Sequence, residues 1–292
     1  MNESTLSCTP ALGQGLPQSD AVTLWPVRRE RLPPVTSESL LAQELATVLP
    51  PPWLRQLNLP NSRTNVRCLL PRTRVAKRVL DIVVALTLLI ATTPLMLLAA
   101  IIVKLTSRGP IFFSQTRVGL NSRYDSTMAA AKQPQEMEGP CRRQQAAYGR
   151  PFRIYKFRTM RVDSDAGGPQ QVKAGDARII PAGRWLRKLR IDELPQLVNV
   201  LRGEMSMVGP RPECIEYMEE LSAKVPNYLQ RLGLKPGLTG IAQIEAGYAN
   251  DLESYRRKVG YDLVYLQNCC LSNDLRVLAR TVRVVLTGFG AL

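Results

Sequence analysis

The sequence contains no histidine among its 292 residues. This absence excludes Ser-His and Cys-His catalysis, metal ligation by imidazole and phosphohistidine chemistry. Any acid, base or nucleophile must therefore come from carboxylates, lysine, tyrosine, cysteine or hydroxyl groups. The six cysteines form no CxxC pair, and without histidine they cannot complete a mixed zinc site. We therefore predict reduced thiols in a cytoplasmic setting.

Aromatic residues are also scarce, at 6% of the chain, whereas the formal net charge is +15. The excess of positive charge lies after residue 70, because residues 1–70 hold six basic against five acidic side chains. A charge this basic suits nucleic acid, an acidic membrane surface or phosphorylated substrates. The scarcity of aromatics and the lack of a recognition motif disfavour the first, so we expect no nucleic-acid partner.

The first 71 residues lack both an apolar span and a signal-peptide pattern, because no basic segment leads into an apolar run. Ten of the 22 prolines lie there, which predicts a partly disordered N-terminal extension over residues 1–71. One short helix is predicted within it, from Ser37 to Leu49. Residues 121–149 are polar and rich in alanine and glutamine, which predicts a surface insertion.

A long apolar run follows the extension, since residues 82–103 form 22 positions without a charge. This length can cross a bilayer, and a buried core helix is the alternative. Pro94 removes a helix hydrogen bond in mid-run, and Thr92 and Thr93 can bond the carbonyls that it frees. Basic residues flank both sides of the run, and positive residues stay on the cytoplasmic side. We predict a re-entrant membrane helix over residues 72–108, with a single crossing as the alternative.

Two adjacent carboxylates, Asp192 and Glu193, stand in the stretch RKLRIDELPQL. The structural interpretation is an ordinary helix start, with Asp192 as the N-cap, Pro195 in the first turn and Gly203 after the end. The functional interpretation is an anion site, because free N–H groups at a helix start attract phosphate. Arg187 lies on the helical face that leads to the pair. A divalent cation could bridge a phosphate to the two carboxylates.

Two further motifs add candidate phosphate ligands. YKFRTM brings Lys156 and Arg158 onto one face of an extended strand by two-residue alternation, with a solvated basic face as the alternative. In MVGPRPE, the flanking prolines lock two φ angles and so reduce the entropy cost of aiming the Arg211 guanidinium at phosphate oxygens. A rigid structural turn with Arg211 on a carboxylate is the alternative for that motif.

The last segment, from Asp274 to Leu286, predicts an amphipathic helix. Arg276, Arg280 and Arg283 share one face by their spacing, and apolar residues lie on or near the other face. A basic amphipathic helix next to a membrane segment can lie on lipid headgroups. A solvated face on a core-packed helix is the alternative.

The sequence resembles a known family in four successive motifs. The apolar run and the segments GRPFRIYKFRTM, LRKLRIDELPQLVNVLRGEMSMVGPRP and KPGLTGIAQI are similar to the motifs of bacterial sugar transferases. These are the monotopic polyprenyl-phosphate phosphoglycosyl transferases, and the resemblance covers residues 74–290. It implies an α+β, mainly helical fold, with a re-entrant helix-break-helix in the membrane and the break at Thr93 and Pro94. Residues 109–292 would form a cytoplasmic catalytic domain with a small β element.

The resemblance also implies an activity. Such an enzyme transfers a sugar-1-phosphate from a UDP-sugar to polyprenyl (undecaprenyl) phosphate and releases UMP, at the cytoplasmic face of the bacterial inner membrane and among its lipids. This step initiates exopolysaccharide or glycoconjugate synthesis. Asp192 would be the nucleophile that forms a phosphoglycosyl-aspartate, and Glu193 would assist by handling the proton of the lipid phosphate and by helping to hold Mg²⁺. Arg187 and Arg211 would hold phosphates. A carboxylate nucleophile needs no histidine, and phosphoryl transfer relies on positioning and charge neutralisation.

Three points stay open in the sequence. Where many members carry NGR after the AQ motif, this chain reads AQIEAGYAND, so the donor sugar is not predicted. A non-catalytic basic membrane scaffold of a polysaccharide assembly is the rival hypothesis, and the intact carboxylate and arginine positions argue against it. The sequence also leaves open whether the chain forms a homo-oligomer.

Overall fold

The computed structural model describes residues 48–59, 62–121, 149–161, 175–247 and 251–288. Helices dominate these residues, as the sequence predicts. The α-helices are α1 (Pro71–Thr106), α2 (Pro181–Lys188), α3 (Leu197–Arg202), α4 (Ile215–Lys224), α5 (Ile241–Glu245), α6 (Leu252–Gln267) and α7 (Leu271–Thr287). Short 3-10 helices occupy Val66–Cys68, Ile191–Gln196 and Tyr228–Gly233. The strands are β1 (Phe112–Val118), β2 (Pro151–Phe157), β3 (Ser206–Val208) and β4 (Gly237–Thr239). Most of the predicted helix from Ser37 to Leu49 lies outside the described residues.

The strands in the described part of the chain form two separate two-stranded sheets. β1 and β2 pair antiparallel, with Phe112 opposite Phe157, and β3 and β4 pair in parallel. The predicted insertion falls between β1 and β2, and its interior lies outside the described residues. Its two ends meet, because the Gly119 N–H donates to the Arg150 carbonyl at 3.0 Å. The insertion therefore extends a hairpin connection and leaves the pairing of β1 with β2 intact.

Among the described helices, α1 is the one that is long and apolar enough to cross a membrane. Its 36 residues span about 54 Å at 1.5 Å per residue. α1 buries Lys77, Asp81 and Ala85 near its start and Ala99 and Val103 near its end, at helical spacing. Most large hydrophobic side chains between these two groups are exposed. α1 is therefore not a buried core helix.

Pro94 lies inside α1, and the helix continues on both sides of it. The hydroxyls of Thr92 and Thr93 donate to the carbonyls four residues before them, at 2.7 and 2.6 Å. The carbonyl that Pro94 leaves without an N–H partner belongs to Ile90, so the prediction that these threonines bond the freed carbonyl is wrong. Such back-bonding by threonine bends helices, as proline does. Both features favour bending at this point of α1.

Arginine side chains attach both ends of α1 to the same body of the protein. Near the start, the Arg78 guanidinium donates to two carbonyls in the last turn of α3, at 2.7 Å each. At the end, the Arg158 guanidinium donates to the carbonyls of Ser107 and Arg108, at 2.6 Å each. Each guanidinium thus caps the carboxyl end of a helix, where carbonyls lack helical partners.

A buried ion pair joins the start of α1 to α7. The Lys77 ammonium lies 2.7 Å from the Asp274 carboxylate and donates to the Tyr265 hydroxyl at 2.9 Å. One turn further along α1, Asp81 accepts two hydrogen bonds from β3, at 2.9 and 2.8 Å. Buried charges persist when they are paired and hydrogen-bonded. These contacts make the first turns of α1 part of the body.

Residues 48–59 and 62–70, the N-terminal strap, pack against the corner between α6 and α7. The side-chain amide of Asn273 binds the backbone N–H and carbonyl of Arg55. The side-chain amide of Gln267 binds the same two groups of Arg63, and all four hydrogen bonds measure 2.8–2.9 Å. Trp53 connects α5 with α7. Its indole N–H donates to the last residue of α5 at 2.9 Å, and its ring centroid lies 4.6 Å from a guanidinium carbon of α7. This part of the predicted extension therefore belongs to the folded body.

Helix α7 is amphipathic, but its faces differ from those predicted. Asn273, Asp274 and Val277 are buried, whereas Leu275 and Leu286 are exposed. The buried polar residues are those that bind the strap and the start of α1. Because they occupy the inner face, apolar side chains are left on the outer face beside the arginines.

Candidate active site

The carboxylate pair lies in the 3-10 helix Ile191–Gln196, which leads into α3. The residue at the N-cap is Arg190, with a left-handed φ of 58°, so the prediction that Asp192 is the N-cap is wrong. Pro195 accounts for the tight helix, because it lacks an N–H and its ring clashes with a carbonyl four residues earlier in an α-helix. Gly203 ends α3 with a φ of 79°, as predicted.

Two cations hold the side chain of Glu193. Lys156, on β2, donates from Nζ to Oε1 at 2.8 Å, and Arg211 donates from Nη2 to the same oxygen at 2.7 Å. Glu193 is 8% exposed. Burial works to raise the pKa of Glu193, but the charges of Arg211 and Lys156 outweigh it and hold that pKa well below its usual range. Glu193 is therefore ionised at neutral pH.

The neighbouring Asp192 is equally buried, at 7% exposure, but is held differently. Within the described residues, no hydrogen bond or ion pair engages its carboxylate. Burial, followed by the charge of Glu193, raises the pKa of Asp192 to about 6, against the opposing charges of Lys156, Arg187 and Arg211. At neutral pH Asp192 is thus mostly a carboxylate without a bonded partner, the state that a nucleophile needs.

The structure brings three of the four predicted basic residues to the carboxylate pair. Lys156 and Arg211 contact Glu193 from β2 and from the turn after β3. Arg187, in the last turn of α2, contributes a positive charge that favours ionisation of Asp192. These residues come from separate segments, and they surround the pair with positive charge. Such a site attracts an anion with several oxygens, such as a phosphate.

Arg158 does not join this group. β2 ends at Phe157, so the alternation that would place Arg158 beside Lys156 does not continue, and its buried guanidinium caps α1 instead. Arg190, two residues before Asp192, also acts on the pair. Its charge helps to lower the pKa of Glu193. Its left-handed backbone, which is uncommon outside glycine, carries no clear signal in the sequence.

Asp192 and Glu193 fit a magnesium ion only if substrate phosphates supply some of its ligands. The described residues contain no group of three or more acidic or cysteine side chains that could hold a metal. Mg²⁺ is commonly held by one or two carboxylates together with substrate phosphates, and the adjacent Asp192 and Glu193 supply that number. Because Lys156 and Arg211 occupy Oε1 of Glu193, Asp192 is the more available ligand.

An apolar helix anchored beside a buried carboxylate pair, with lysine and arginine around it, defines a class of membrane-compatible, phosphate-handling proteins. Residues 72–288 match the model of the bacterial sugar transferase family, and the chain therefore belongs to that family. The resemblance read from its motifs is confirmed.

Three relatives with more specific names are 36–41% identical to this chain over about three quarters of its length. The chain is 41% identical over 222 residues to the UDP-glucose:undecaprenyl-phosphate glucose-1-phosphate transferase of Caulobacter vibrioides. This alignment covers 75% of this chain and 73% of the Caulobacter protein. The chain is 39% identical over 215 residues to the UDP-N-acetylgalactosamine-undecaprenyl-phosphate N-acetylgalactosaminephosphotransferase of Aeromonas hydrophila, and this alignment covers 74% of the chain. That match spans 44% of the Aeromonas protein, less than half of its length. The exopolysaccharide production protein PSS of Rhizobium leguminosarum is 36% identical over 96% of its length.

Proposed function

We propose that this chain transfers a sugar-1-phosphate from a UDP-sugar to undecaprenyl phosphate, releases UMP, and so initiates exopolysaccharide synthesis. The observation that carries the proposal is the asymmetry of the carboxylate pair. Glu193 is fixed by Lys156 and Arg211, whereas Asp192 is buried, mostly ionised at neutral pH and without a bonded partner. The names of the Caulobacter and Aeromonas relatives, which state UDP-sugar and undecaprenyl-phosphate substrates, support it.

In the proposed reaction, an Asp192 carboxylate oxygen attacks the sugar-linked phosphorus of the UDP-sugar. The bond from that phosphorus to the bridging oxygen breaks, and UMP leaves with this oxygen. An oxygen of the lipid phosphate then attacks the same phosphorus, and the Asp192 carboxylate is released. The covalent intermediate allows the soluble nucleotide to depart before the lipid phosphate arrives. Phosphoryl transfer of this kind depends mainly on positioning and on charge stabilisation.

The geometry favours a particular role for Glu193. A carboxylate whose pKa lies well below its usual range is a weak base, so Glu193 is poorly suited to take a proton from the lipid phosphate. It is well suited to orient the Lys156 ammonium and the Arg211 guanidinium, which are charged donor groups of the kind that bind phosphate oxygens. Arg187 adds positive charge on the Asp192 side. Mg²⁺ held by Asp192 and substrate phosphates would supply further charge neutralisation.

For the membrane, we propose that α1 is re-entrant and that the body lies at the cytoplasmic face. Both ends of α1 are fixed to the same body, by Arg78 and by Arg158, while the large hydrophobics between them are exposed. A straight span would place its two ends on opposite sides of the bilayer. Trp185 on α2 and Leu286 on α7 are 70% and 81% exposed, which supports lipid contact beside α1.

The proposal is tested with the full chain in nanodiscs, with Mg²⁺, undecaprenyl phosphate and a panel of UDP-sugars, by measuring UMP. Wild type is expected to release UMP continuously with both substrates, and about one UMP per protein with the donor alone. Asp192→Asn should abolish both signals, because an amide cannot form the acyl phosphate bond to the sugar-linked phosphorus. Asp251→Asn, at the exposed start of α6, is the matched control and should behave as wild type.

Two outcomes would count against the proposal. UMP release that survives Asp192→Asn would remove Asp192 as the nucleophile. If the wild type releases no UMP with any UDP-sugar, while it still binds membranes, the non-catalytic scaffold becomes the better hypothesis. Mass spectrometry of the donor-only sample should find the sugar-phosphate adduct on the peptide that contains Asp192.

A further inference from the structure

The turn that carries Arg211 is attached to β4 on one side. Gly209 donates its N–H to the Thr239 carbonyl at 2.9 Å, and Gly237 donates to the Pro210 carbonyl at 2.8 Å. The two backbones approach so closely that a Cβ on Gly237 would lie 2.1 Å from the Gly209 nitrogen. Glycine is therefore required at this crossing. These two bonds fix the chain up to Pro210, one residue before the arginine.

A buried arginine, Arg231, binds the main chain of Arg211. Arg231, in the 3-10 helix Tyr228–Gly233, donates from Nη2 to the main-chain carbonyl of Arg211 at 2.9 Å. Its Nη1 donates to the Tyr228 hydroxyl at 3.1 Å. Arg231 is 5% exposed, so its guanidinium acts inside the protein and is not presented to a substrate.

Asp262, on α6, neutralises this guanidinium. Its Oδ2 lies 2.9 Å from Nη2 of Arg231, and its side chain is almost fully buried. Burial raises the pKa of Asp262 to about 6, against the charge of Arg231, so Asp262 is ionised at neutral pH. Lys258 and Glu213 are the other charged groups near the pair. Removal of one member would leave a buried charge without compensation, so Arg231 and Asp262 act as a unit.

We propose that Arg231 and Asp262 are a positioning pair, which fixes the main chain at Arg211 and so directs the Arg211 guanidinium onto Glu193 and the substrate phosphate. The part of this inference that concerns phosphate rests on the proposed function. The prolines on both sides of Arg211 restrict backbone rotation, so a shift of its carbonyl is passed on to the side chain. Misplacement of a catalytic group by about 1 Å can reduce a rate by about a hundredfold.

The first test compares Asp262→Asn with Asp274→Asn, in the full chain. The Asp274 carboxylate pairs with Lys77 and is also buried, so each substitution removes one buried negative charge. Both should lower the melting temperature. At saturating UDP-sugar, kcat should fall about 10–100-fold for Asp262→Asn. It should change by less than about twofold for Asp274→Asn, which does not contact Arg211.

A double-mutant cycle shows whether the effect passes through Arg211. In an Arg211→Gln background, Asp262→Asn should cause no further loss of kcat, because the positioned guanidinium is already absent. Additive losses would overturn the inference. Tyr228→Phe removes one hydroxyl that Arg231 contacts and is the milder variant, should Asp262→Asn fail to fold. It should reduce kcat in the same direction.

The second readout does not depend on turnover. Phenylglyoxal modifies accessible guanidinium groups, and mass spectrometry reports its rate at Arg211. This rate should increase in Asp262→Asn and in Tyr228→Phe, and it should match wild type in Asp274→Asn. Wild-type kcat and wild-type labelling in both variants would overturn the inference. If wild type turns over no UDP-sugar at all, the proposed function fails, and the labelling comparison still decides the positioning role.

Discussion

At the scale of single residues, the adjacent Asp192 and Glu193 have opposite electrostatic surroundings. Two cations reach Glu193 and lower its pKa, while Asp192 is equally buried and has a raised pKa. In coupled pairs of acids, such a separation assigns different roles to the two members. The ionised Glu193 keeps the cations in place, and Asp192 remains available for bond formation.

Asp192→Asn is expected to raise the melting temperature at pH 8. The pKa of Asp192 rises on folding from 3.8 to about 6, so above pH 6 its buried charge costs about 1–3 kcal/mol of folding free energy. Asparagine carries no such charge. The gain should shrink as the pH falls from 6 towards 4, because folded wild type then takes up the proton. Thermal denaturation at pH 8 and at pH 4.5 measures both effects.

The corresponding substitution of the neighbouring Glu193 serves as the comparison for that experiment. Glu193→Gln removes a carboxylate that Lys156 and Arg211 both contact, so it should lower the melting temperature at pH 8. A lower melting temperature for Asp192→Asn at pH 8 would contradict the view that the buried charge of Asp192 destabilises the folded protein. Activity at the expense of stability is common at such sites.

At the scale of elements, α1 is held at its two ends by side chains and is otherwise exposed. Arg158, which was predicted from the sequence to bind phosphate, is one of the residues that attach α1. Arg158 uses both terminal nitrogens on the carbonyls of Ser107 and Arg108. Hydrogen bonds from a charged donor contribute about 1.5–3 kcal/mol each. The attachment of α1 to the body therefore depends strongly on this residue.

Arg158→Met is expected to lower the melting temperature by removing that anchor. The KM for the UDP-sugar should stay within about twofold of wild type. Arg211→Met is the matched variant: it should raise the KM or reduce kcat with a smaller change in melting temperature, because the Arg211 side chain is 36% exposed. An unchanged melting temperature with a raised KM in Arg158→Met would instead support the phosphate role predicted from the sequence.

The path of α1 through the membrane can be tested with the native Cys68, which is exposed and lies three residues before α1. In a background with the other cysteines replaced by serine, Cys68 and, separately, a Ser107→Cys site are treated with an impermeant maleimide in spheroplasts. Both positions should be labelled only after permeabilisation. Labelling of one position in intact spheroplasts would favour a single crossing.

Pro94→Leu offers a complementary test of the same element. It allows an N–H to donate to the Ile90 carbonyl, which should favour a straight α1 and push it towards a full crossing. Position 107 should then become accessible from outside in a fraction of the molecules. An unchanged labelling pattern would show that Pro94 does not set the path of α1.

At the scale of the whole molecule, the N-terminal strap enlarges the body beyond the family match, which begins at residue 72. Its extended chain is bound by the amides of Gln267, Asn268 and Asn273, at the corner of α6 and α7. Trp53 adds a contact to α5 and to Arg280. The strap thus connects three helices that lie far apart from it in the sequence.

A chain that begins at Pro71 is expected to melt at a lower temperature than a chain that begins at Val48 and so keeps the strap. Each strap hydrogen bond contributes about 0.5–1.5 kcal/mol, and its loss leaves a buried amide without a partner. Among point variants, Trp53→Ala should lower the melting temperature and the exposed Gln56→Ala should not. Equal melting of the two truncated chains would show that the strap contributes no stability.

Local patterns in the sequence predicted much of this molecule. The apolar run, the mainly helical content and the family follow from motifs and periods within short windows. Lys156, Arg187 and Arg211 were also found from local patterns, because each lies in a short basic or proline-bounded motif. Lys156 and Arg211 then contact Glu193, and Arg187 adds its charge, because the fold brings these motifs together.

The remaining features depend on contacts between distant segments. The pairing of Lys77 with Asp274 and of Arg231 with Asp262 follows no local period, so no sequence pattern indicates it. Arg158 illustrates the same limit, since the strand that would have aligned it ends one residue earlier. Asp192 was misplaced as an N-cap for a local reason, namely the effect of the following proline on helix type.

The Lys77–Asp274 pair has a consequence for the order of synthesis. The two residues are separated by 197 positions, so at about 5–20 residues per second α1 leaves the ribosome about 10–40 seconds before α7 exists. During that interval Lys77 is not yet paired with Asp274, and a positive charge near an apolar run favours the cytoplasmic side of the membrane. In the proposed topology, the same ammonium would first help to orient α1 in the membrane and would later form the buried ion pair of the folded protein.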